Sequence, residues 1–320
     1  MMLDLYEDTL QADRRIRGHI VKTPVALSGF LSEHLQAEIY LKNEHVQYTG
    51  SFKLRGATNK ILSLSEEQRQ AGVVAASTGN HGLAVAFAAR RFGVRAKVMA
   101  PAKASPRKLG AIRAMGVEVE TVVGDCLAAE LTAKEMARRQ GRVFISPYND
   151  PEVVAGQGTI GIELNEQIPG LDAVLVAVGG GGLISGIGGV MKRLNLKIKV
   201  VGCWPENSRI MYESLKAGKI IDFPESDTIS DATAGGLEPG SITFDLCARL
   251  IDDHVLVSEQ EIRAAMTIIA REEGWIIEGA AGVAVAAVLK QKDRLRGKKV
   301  AVVLCGRNID FEKFKQVVCP

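Results

Sequence analysis

Lys53 lies in the segment Tyr48-Thr49-Gly50-Ser51-Phe52-Lys53-Leu54-Arg55-Gly56-Ala57, a lysine among small and aromatic residues. The chemistry open to such a lysine is attack on an aldehyde. That requires an amine that is neutral part of the time, and therefore partly withdrawn from water. Phe52 offers a flat face for a planar ring, and the flanking glycines let backbone approach closely. The alternative is a surface lysine at a helix start, sharing a solvated face with Arg55 and Lys60.

Two distant glycine-rich turns decide between these readings. Gly179-Gly180-Gly181-Gly182-Leu183 follows the apolar run 173–178 and leads into a helix-like run over 183–194. Backbone amides at such a helix entry point at an anion, and the helix dipole favours negative charge there. A dinucleotide fingerprint fits poorly. The third glycine is missing, and Val201-Gly202-Cys203-Trp204 stands where an acidic residue belongs about 20 residues on. A monophosphate fits better. Ser77-Thr78-Gly79-Asn80-His81-Gly82 likewise joins an apolar run to a helix pattern. Its amides and hydroxyls suit a carboxylate and Asn80 suits a phenolate oxygen, although a plain helix N-cap explains the same residues. His81 alone reads more naturally as structural. Cys305 closes the strand pattern 300–304, at the end where ligands of open α/β sheets gather. Its thiol either faces a pyridine nitrogen or is simply buried and inert. The lysine segment and the two glycine-rich turns together read as a site for pyridoxal 5'-phosphate, with Lys53 as the aldehyde's partner.

The elements around these residues alternate. Strand-like runs fall at 73–77, 96–100, 117–123, 143–146, 173–178, 198–203, 254–257 and 299–305. Helical spacing appears between them, as in Leu109, Ile112 and Met115, or Ile262, Met266 and Ile269 behind a Ser258/Glu261 capping box. Continuous apolar strands alternating with helices predict a mostly parallel sheet covered on both faces. The chain has 320 residues, enough for two domains, and neither a repeat nor a Pro/Gly/Ser linker divides it. A net charge of +3, with basic residues spread among acids, gives no reason to expect nucleic acid or an anionic membrane as partner. Five widely spaced cysteines, without a CxxC pair, suit reduced thiols and a cytoplasmic protein. The start of the chain lacks a signal-peptide core. The weakly charged run 173–191 reads as strand, loop and helix because of its seven glycines.

With these motifs in place, the chain resembles the fold type II (tryptophan synthase β-like) pyridoxal-phosphate enzymes, specifically the threonine/serine dehydratase and serine racemase group. The lysine segment, the asparagine turn and the tetraglycine occur in that family's order. So do Val154-Ala155-Gly156-Gln157-Gly158-Thr159, Ile277-Glu278 with Ala281-Gly282, and Leu304-Cys305-Gly306. The resemblance covers nearly the whole chain. It implies two open parallel-sheet α/β domains with the cofactor between them: a small one over 48–148, and a large one from 1–47 plus 149–320. It also implies a homodimer or higher homo-oligomer and a small amino-acid substrate. By resemblance Lys53 takes the aldehyde, Phe52 flanks the ring and Asn80 bonds the 3' oxygen. Gly179, Gly180, Gly181, Gly182 and Leu183 bind the phosphate, and Cys305 stands at the ring nitrogen. Ser77, Asn80 and His81 hold the substrate carboxylate. Thr78 stands where serine racemases keep a hydroxyl acid/base opposite the lysine, so both Lys53 and Thr78 are candidate catalytic residues.

The chain departs from that pattern in places. Trp204 and Ile210 occupy the two acidic positions of the cation site in metal-dependent relatives, so no metal is expected there. Cys305-Gly306-Arg307-Asn308 replaces a Ser-Gly-Gly-Asn turn, and 230–240 differs from typical threonine dehydratases on the side where substrate selectivity is expected. These features are similar to the hydroxyectoine utilization branch. The expected reaction is β-elimination of water from a threonine-like, serine-like or hydroxyectoine-derived amino acid, giving a 2-oxo acid and ammonia. Amino-acid racemisation is the alternative. A binding protein without turnover is the alternative from another class.

Overall fold

A computed structural model describes residues 4–319 except 78, 103, 105 and 125; at 106–108, 126 and 127 it describes backbone alone. Ten strands are described: β1 Val25–Leu27, β2 Glu38–Lys42, β3 Val73–Ala76, β4 Ala96–Pro101, β5 Glu118–Val122, β6 Val143–Phe144, β7 Ala173–Ala177, β8 Lys199–Pro205, β9 Asp253–Val257 and β10 Lys299–Val303. They form two sheets. The six-stranded sheet runs β1-β2-β10-β7-β8-β9 and the four-stranded sheet β5-β4-β3-β6. Every pairing is parallel except β1 with β2.

The strands read from apolar runs form because both their faces are covered. β3 and β7 are buried at every residue, as parallel strands flanked by helices must be. The expected strand at 143–146 is only two residues long. Beyond Phe144 one more ladder bond forms, Ile145 N to Val74 O at 2.8 Å; the chain then turns, and Ser146 Oγ accepts from the Asn149 amide at 2.9 Å. The expected capping box at Ser258 and Glu261 is present. β1 and β2 escaped the sequence reading. β1 is a short, partly exposed edge, and β2 carries the charged residues Glu38 and Lys42.

Lys42 belongs to a buried ion cluster beneath the helix Lys53–Leu62, which ties that helix to β2 and to the helix Pro151–Gln167. Arg55 donates to Glu44 through Nε and Nη2, both at 2.8 Å, and to Glu163 at 2.7 and 2.9 Å. Lys42 Nζ reaches Glu163 at 2.5 Å. Burial pushes Glu163 up, but the Arg55 and Lys42 charges outweigh it and hold the carboxyl below its ordinary value. For Lys42 burial wins, and its amine lies below its ordinary value. The alternative of a solvated face shared with Arg55 and Lys60 is therefore excluded. Arg55 is wholly buried, and Lys60 is mostly covered and paired with Asp150 at 2.7 Å.

Trp204 and Ile210, the residues that set aside the expectation of a metal, are both buried. The Trp204 ring lies 5.5 Å from His254, nearly parallel to it, and 5.7 Å from Tyr212. Aromatic rings thus pack together around Trp204. Among the described residues no helix is long and apolar enough to cross a membrane.

Candidate active site

The C-terminal ends of β3, β7 and β10 open on one cavity of about 330 Å³, between the two sheets. Phe52, Lys53, Ser77, Asn80, His81, the glycines 179–182, Leu183 and Cys305 all line it. Among the predicted site residues, Thr78 lies outside the described residues. Residues from four separate stretches of chain thus converge as the sequence motifs suggested.

Lys53 opens its helix, and its position is fixed by a seam to the end of β10. Phe52 N donates to Cys305 O at 3.0 Å, and Arg307 N donates to Gly50 O at 2.9 Å. The Lys53 amine is accessible from the cavity yet surrounded by protein. It donates to Pro147 O at 2.6 Å. Burial pulls its pKa down to about 8, against the opposing charges of Glu130 and Glu278. This is the desolvated amine that aldehyde chemistry requires.

Opposite lies the glycine loop. Gly181 caps the helix Gly182–Leu194 with a positive φ of 83°, and no side chain caps that helix. A Cβ at Gly180 would fall 2.5 Å from Cδ1 of Tyr148, so only glycine lets the loop lie against that ring. The result is a helix entry with bare amides and a positive dipole end, the arrangement that receives a phosphate.

Around the space between lysine and loop, two titratable groups, Cys305 and His81, are held uncharged. Cys305 is buried, and desolvation followed by the Glu278 charge pushes its thiol well above the ordinary value. His81 is buried. Its Nε2 faces Ile145 O at 2.9 Å, which requires the proton on Nε2. Burial and then the Lys53 charge drive its pKa down to about 3, so the ring is neutral. Ser77 Oγ accepts from Gly79 N at 3.1 Å and shapes the turn. Asn80 begins the helix Asn80–Arg91, and its Nδ2 donates to Glu278 at 2.8 and 3.0 Å.

Four further cavity residues carried no role in the sequence reading. Glu130 is raised to about 7, first by burial, with Lys53 pulling the other way. Tyr148 accepts from Glu238 N at 2.8 Å through its hydroxyl. Glu278 and Asn308 were visible only as members of quoted segments. Their partners sit about 200 positions away in the chain, and no local spacing signals such contacts. Asp231–Ala234 also line the cavity, within the segment expected to face substrate.

A low-pKa lysine, a bare-amide phosphate cradle and an uncharged thiol in one cleft define a pyridoxal-phosphate enzyme, and the residues present fit that cofactor. The chain belongs to the pyridoxal-phosphate dependent enzyme family, whose model matches residues 16–306. It is 42% identical over 315 residues to the L-threonine ammonia-lyase of Thermotoga maritima, covering 98% of this chain and 77% of that one. Its fold superposes on threonine deaminase isoform 2 of Solanum lycopersicum with a TM-score of 0.92 and 34% identity, over 98% of this chain and 87% of the other. Maize serine racemase gives a TM-score of 0.90 and 31% identity, over 97% and 96%.

Proposed function

We propose that the protein is an ammonia-lyase that eliminates water from a β-hydroxy amino acid, leaving a 2-oxo acid and ammonia. The observation that carries this reading is the Lys53 amine, lowered to about 8 and enclosed opposite the glycine cradle. Gly179, Gly180, Gly181, Gly182 and Leu183 would hold the cofactor's phosphate, Phe52 would flank its ring, and Asn80 and Cys305 would meet the 3' oxygen and ring nitrogen. When bound there, pyridoxal phosphate supplies the electron sink that makes the substrate's α-proton removable.

The residues of the chain perform the rest. Lys53 Nζ, neutral for a useful fraction of the time at neutral pH, accepts the α-proton. The uncharged Cys305 thiol puts no negative charge beside the ring. The sink is therefore weaker, and prompt loss of the β-hydroxyl is favoured over longer-lived outcomes. Ser77, Asn80 and His81, at the entry to the helix Asn80–Arg91, would receive the substrate carboxylate where backbone amides point outward. Thr78 remains the candidate for a second acid/base group. We further propose a small domain over 48–148 set against the remainder, a homodimer or higher homo-oligomer, and a cytoplasmic location. The cysteines 203, 247, 305 and 319 are free thiols, which suits such a compartment.

The test is 2-oxo acid release from threonine, serine, 3-hydroxyaspartate and hydroxyectoine-derived diamino acids, with D-amino acid formation followed in parallel. Oxo acid release that Lys53→Ala abolishes supports the lyase. D-amino acid without oxo acid replaces it with the racemase. A protein that binds the cofactor and turns over none of the panel would be a binding protein.

A further inference from the structure

The Asn80 carboxamide has an oxygen end and a nitrogen end of nearly equal size, so hydrogen bonds alone decide which way round it lies. The surrounding bonds admit one arrangement. Thr49 O is a backbone carbonyl and only accepts, so the Asn308 atom 2.8 Å from it is the donating Nδ2. The same Nδ2 lies 2.6 Å from Asn80, so the Asn80 atom it meets is the accepting Oδ1. Asn80 Nδ2 then faces Glu278, with Oε1 at 2.8 Å and Oε2 at 3.0 Å. The chain of assignments is anchored at one end by a carbonyl and at the other by a carboxylate. Neither amide can turn over without setting acceptor against acceptor.

The anchor is built in. Asn80 and Glu278 are 8% and 3% exposed, so a mispaired atom there has no water to turn to. A Cβ at position 306 would fall 2.5 Å from Glu278 Oε1, so glycine at 306 makes room for the carboxylate. Glu278 N also donates to Gly306 O at 3.0 Å. Asn80, Glu278 and Asn308 come from three separate elements: the helix after β3, the cap of the helix Gly279–Lys290, and the turn after β10. All three line the cavity.

We infer that Asn308 and Glu278 are positioning residues that lock the Asn80 carboxamide with its N–H side toward the cofactor. The inference rests on the proposed contact between Asn80 and the cofactor's 3' oxygen. Held this way, Asn80 presents a donor to that oxygen; reversed, it would present a carbonyl, and two acceptors would face each other.

The test is a double-mutant cycle on the reconstituted enzyme. The readouts are the dissociation constant for pyridoxal 5'-phosphate and the position of the visible absorption band. The variants are N80A, N308D and the pair. N308D keeps the shape of Asn308 but replaces the donor with an acceptor. N80A is expected to weaken cofactor binding about tenfold. N308D should weaken it about tenfold and shift the band, yet change binding less than about twofold once N80A is present. An N308D loss of equal size in both backgrounds would overturn the relay and leave the Asn80 contact standing. Unchanged binding and spectrum in N80A would overturn the contact itself, and the relay with it. If N308D does not fold, E278L removes the acceptor at the other end and is judged in the same cycle by the same criteria. E278Q, which can still accept from Asn80, should stay within about twofold of the parent.

Discussion

Replacing Arg55 by methionine tests the buried ion cluster behind the lysine helix. The guanidinium makes two bonds to Glu44 at 2.8 Å, two to Glu163 at 2.7 and 2.9 Å, and one to Thr159 Oγ1 at 3.0 Å. Arg55→Met leaves Glu163 with Lys42, and Glu44 with the Thr23 hydroxyl at 2.5 Å. Two buried carboxylates then share one ammonium. Removing one partner of a buried pair costs about 3–5 kcal/mol, because the charge left behind stays desolvated. Unfolding entropy near ~2.1 cal/mol/K per residue makes each degree worth about 0.67 kcal/mol in a chain of 320 residues. A loss of ~4 kcal/mol is therefore a drop of about 6 °C in the unfolding midpoint. Calorimetry at low and high salt is the assay, with Lys22→Ala as the control. The Lys22–Glu166 pair is 57% and 43% exposed, so its loss should cost under about 1 kcal/mol and fade with salt. Arg55→Lys keeps the charge but not the two-pronged geometry and should fall between parent and methionine variant. A methionine variant within about 1 kcal/mol of the parent, or one as salt-sensitive as the control, would refute the reasoning.

Three other outcomes are expected. Uptake of pyridoxal phosphate by the cofactor-free protein should accelerate with pH up to about 8, because the attacking Lys53 amine must be neutral. At pH 7 about a tenth of it is neutral, against about 1 in 3,000 for an ordinary lysine, and stopped-flow absorbance reads the midpoint. Glu130→Gln should move that midpoint below 8, because the Glu130 charge raises the Lys53 pKa and its amide would not. Glu163 is held below the ordinary 4.5 in the folded state, so the stability it contributes is present above 4.5 and lost as pH falls through its depressed value. Removing the Arg55 charge lifts Glu163 toward the unfolded value, so acid unfolding of Arg55→Met should be shallower than that of the parent.

Much of this arrangement was legible in the sequence, for identifiable reasons. A strand buried on both faces must be apolar throughout, so 73–76, 173–177 and 300–303 announced themselves. The glycines at 179–182 and the lysine in its small-residue setting follow from what a phosphate and an aldehyde demand. β2 was hidden because Lys42 looks like a surface residue until Glu163, 121 positions away, is known to be its partner. Arg55 was open to the same misreading. Its burial is tolerable only because Glu44 and Glu163 arrive from elsewhere in the fold. The Asn308–Asn80–Glu278 contacts escaped for the same reason: pairings across the fold leave no local periodicity.

The position of β10 bears on how the chain can be made. β10 lies between β2 and β7, so two strands synthesised far earlier have no hydrogen-bonded bridge until residue 303 has left the ribosome. Cys305, Gly306 and Asn308 arrive with it. The four strands between Val73 and Phe144, by contrast, are contiguous in the chain and can pair while translation continues. The nascent chain therefore carries the smaller of its two sheets early, but its cleft only at the end. Lys53 waits roughly 250 residues for the glycine loop's neighbour strand and the thiol, which at ~5–20 residues per second is tens of seconds of exposure. During that interval the exposed edges of β2 and β7 are the places where a chaperone would be expected to act.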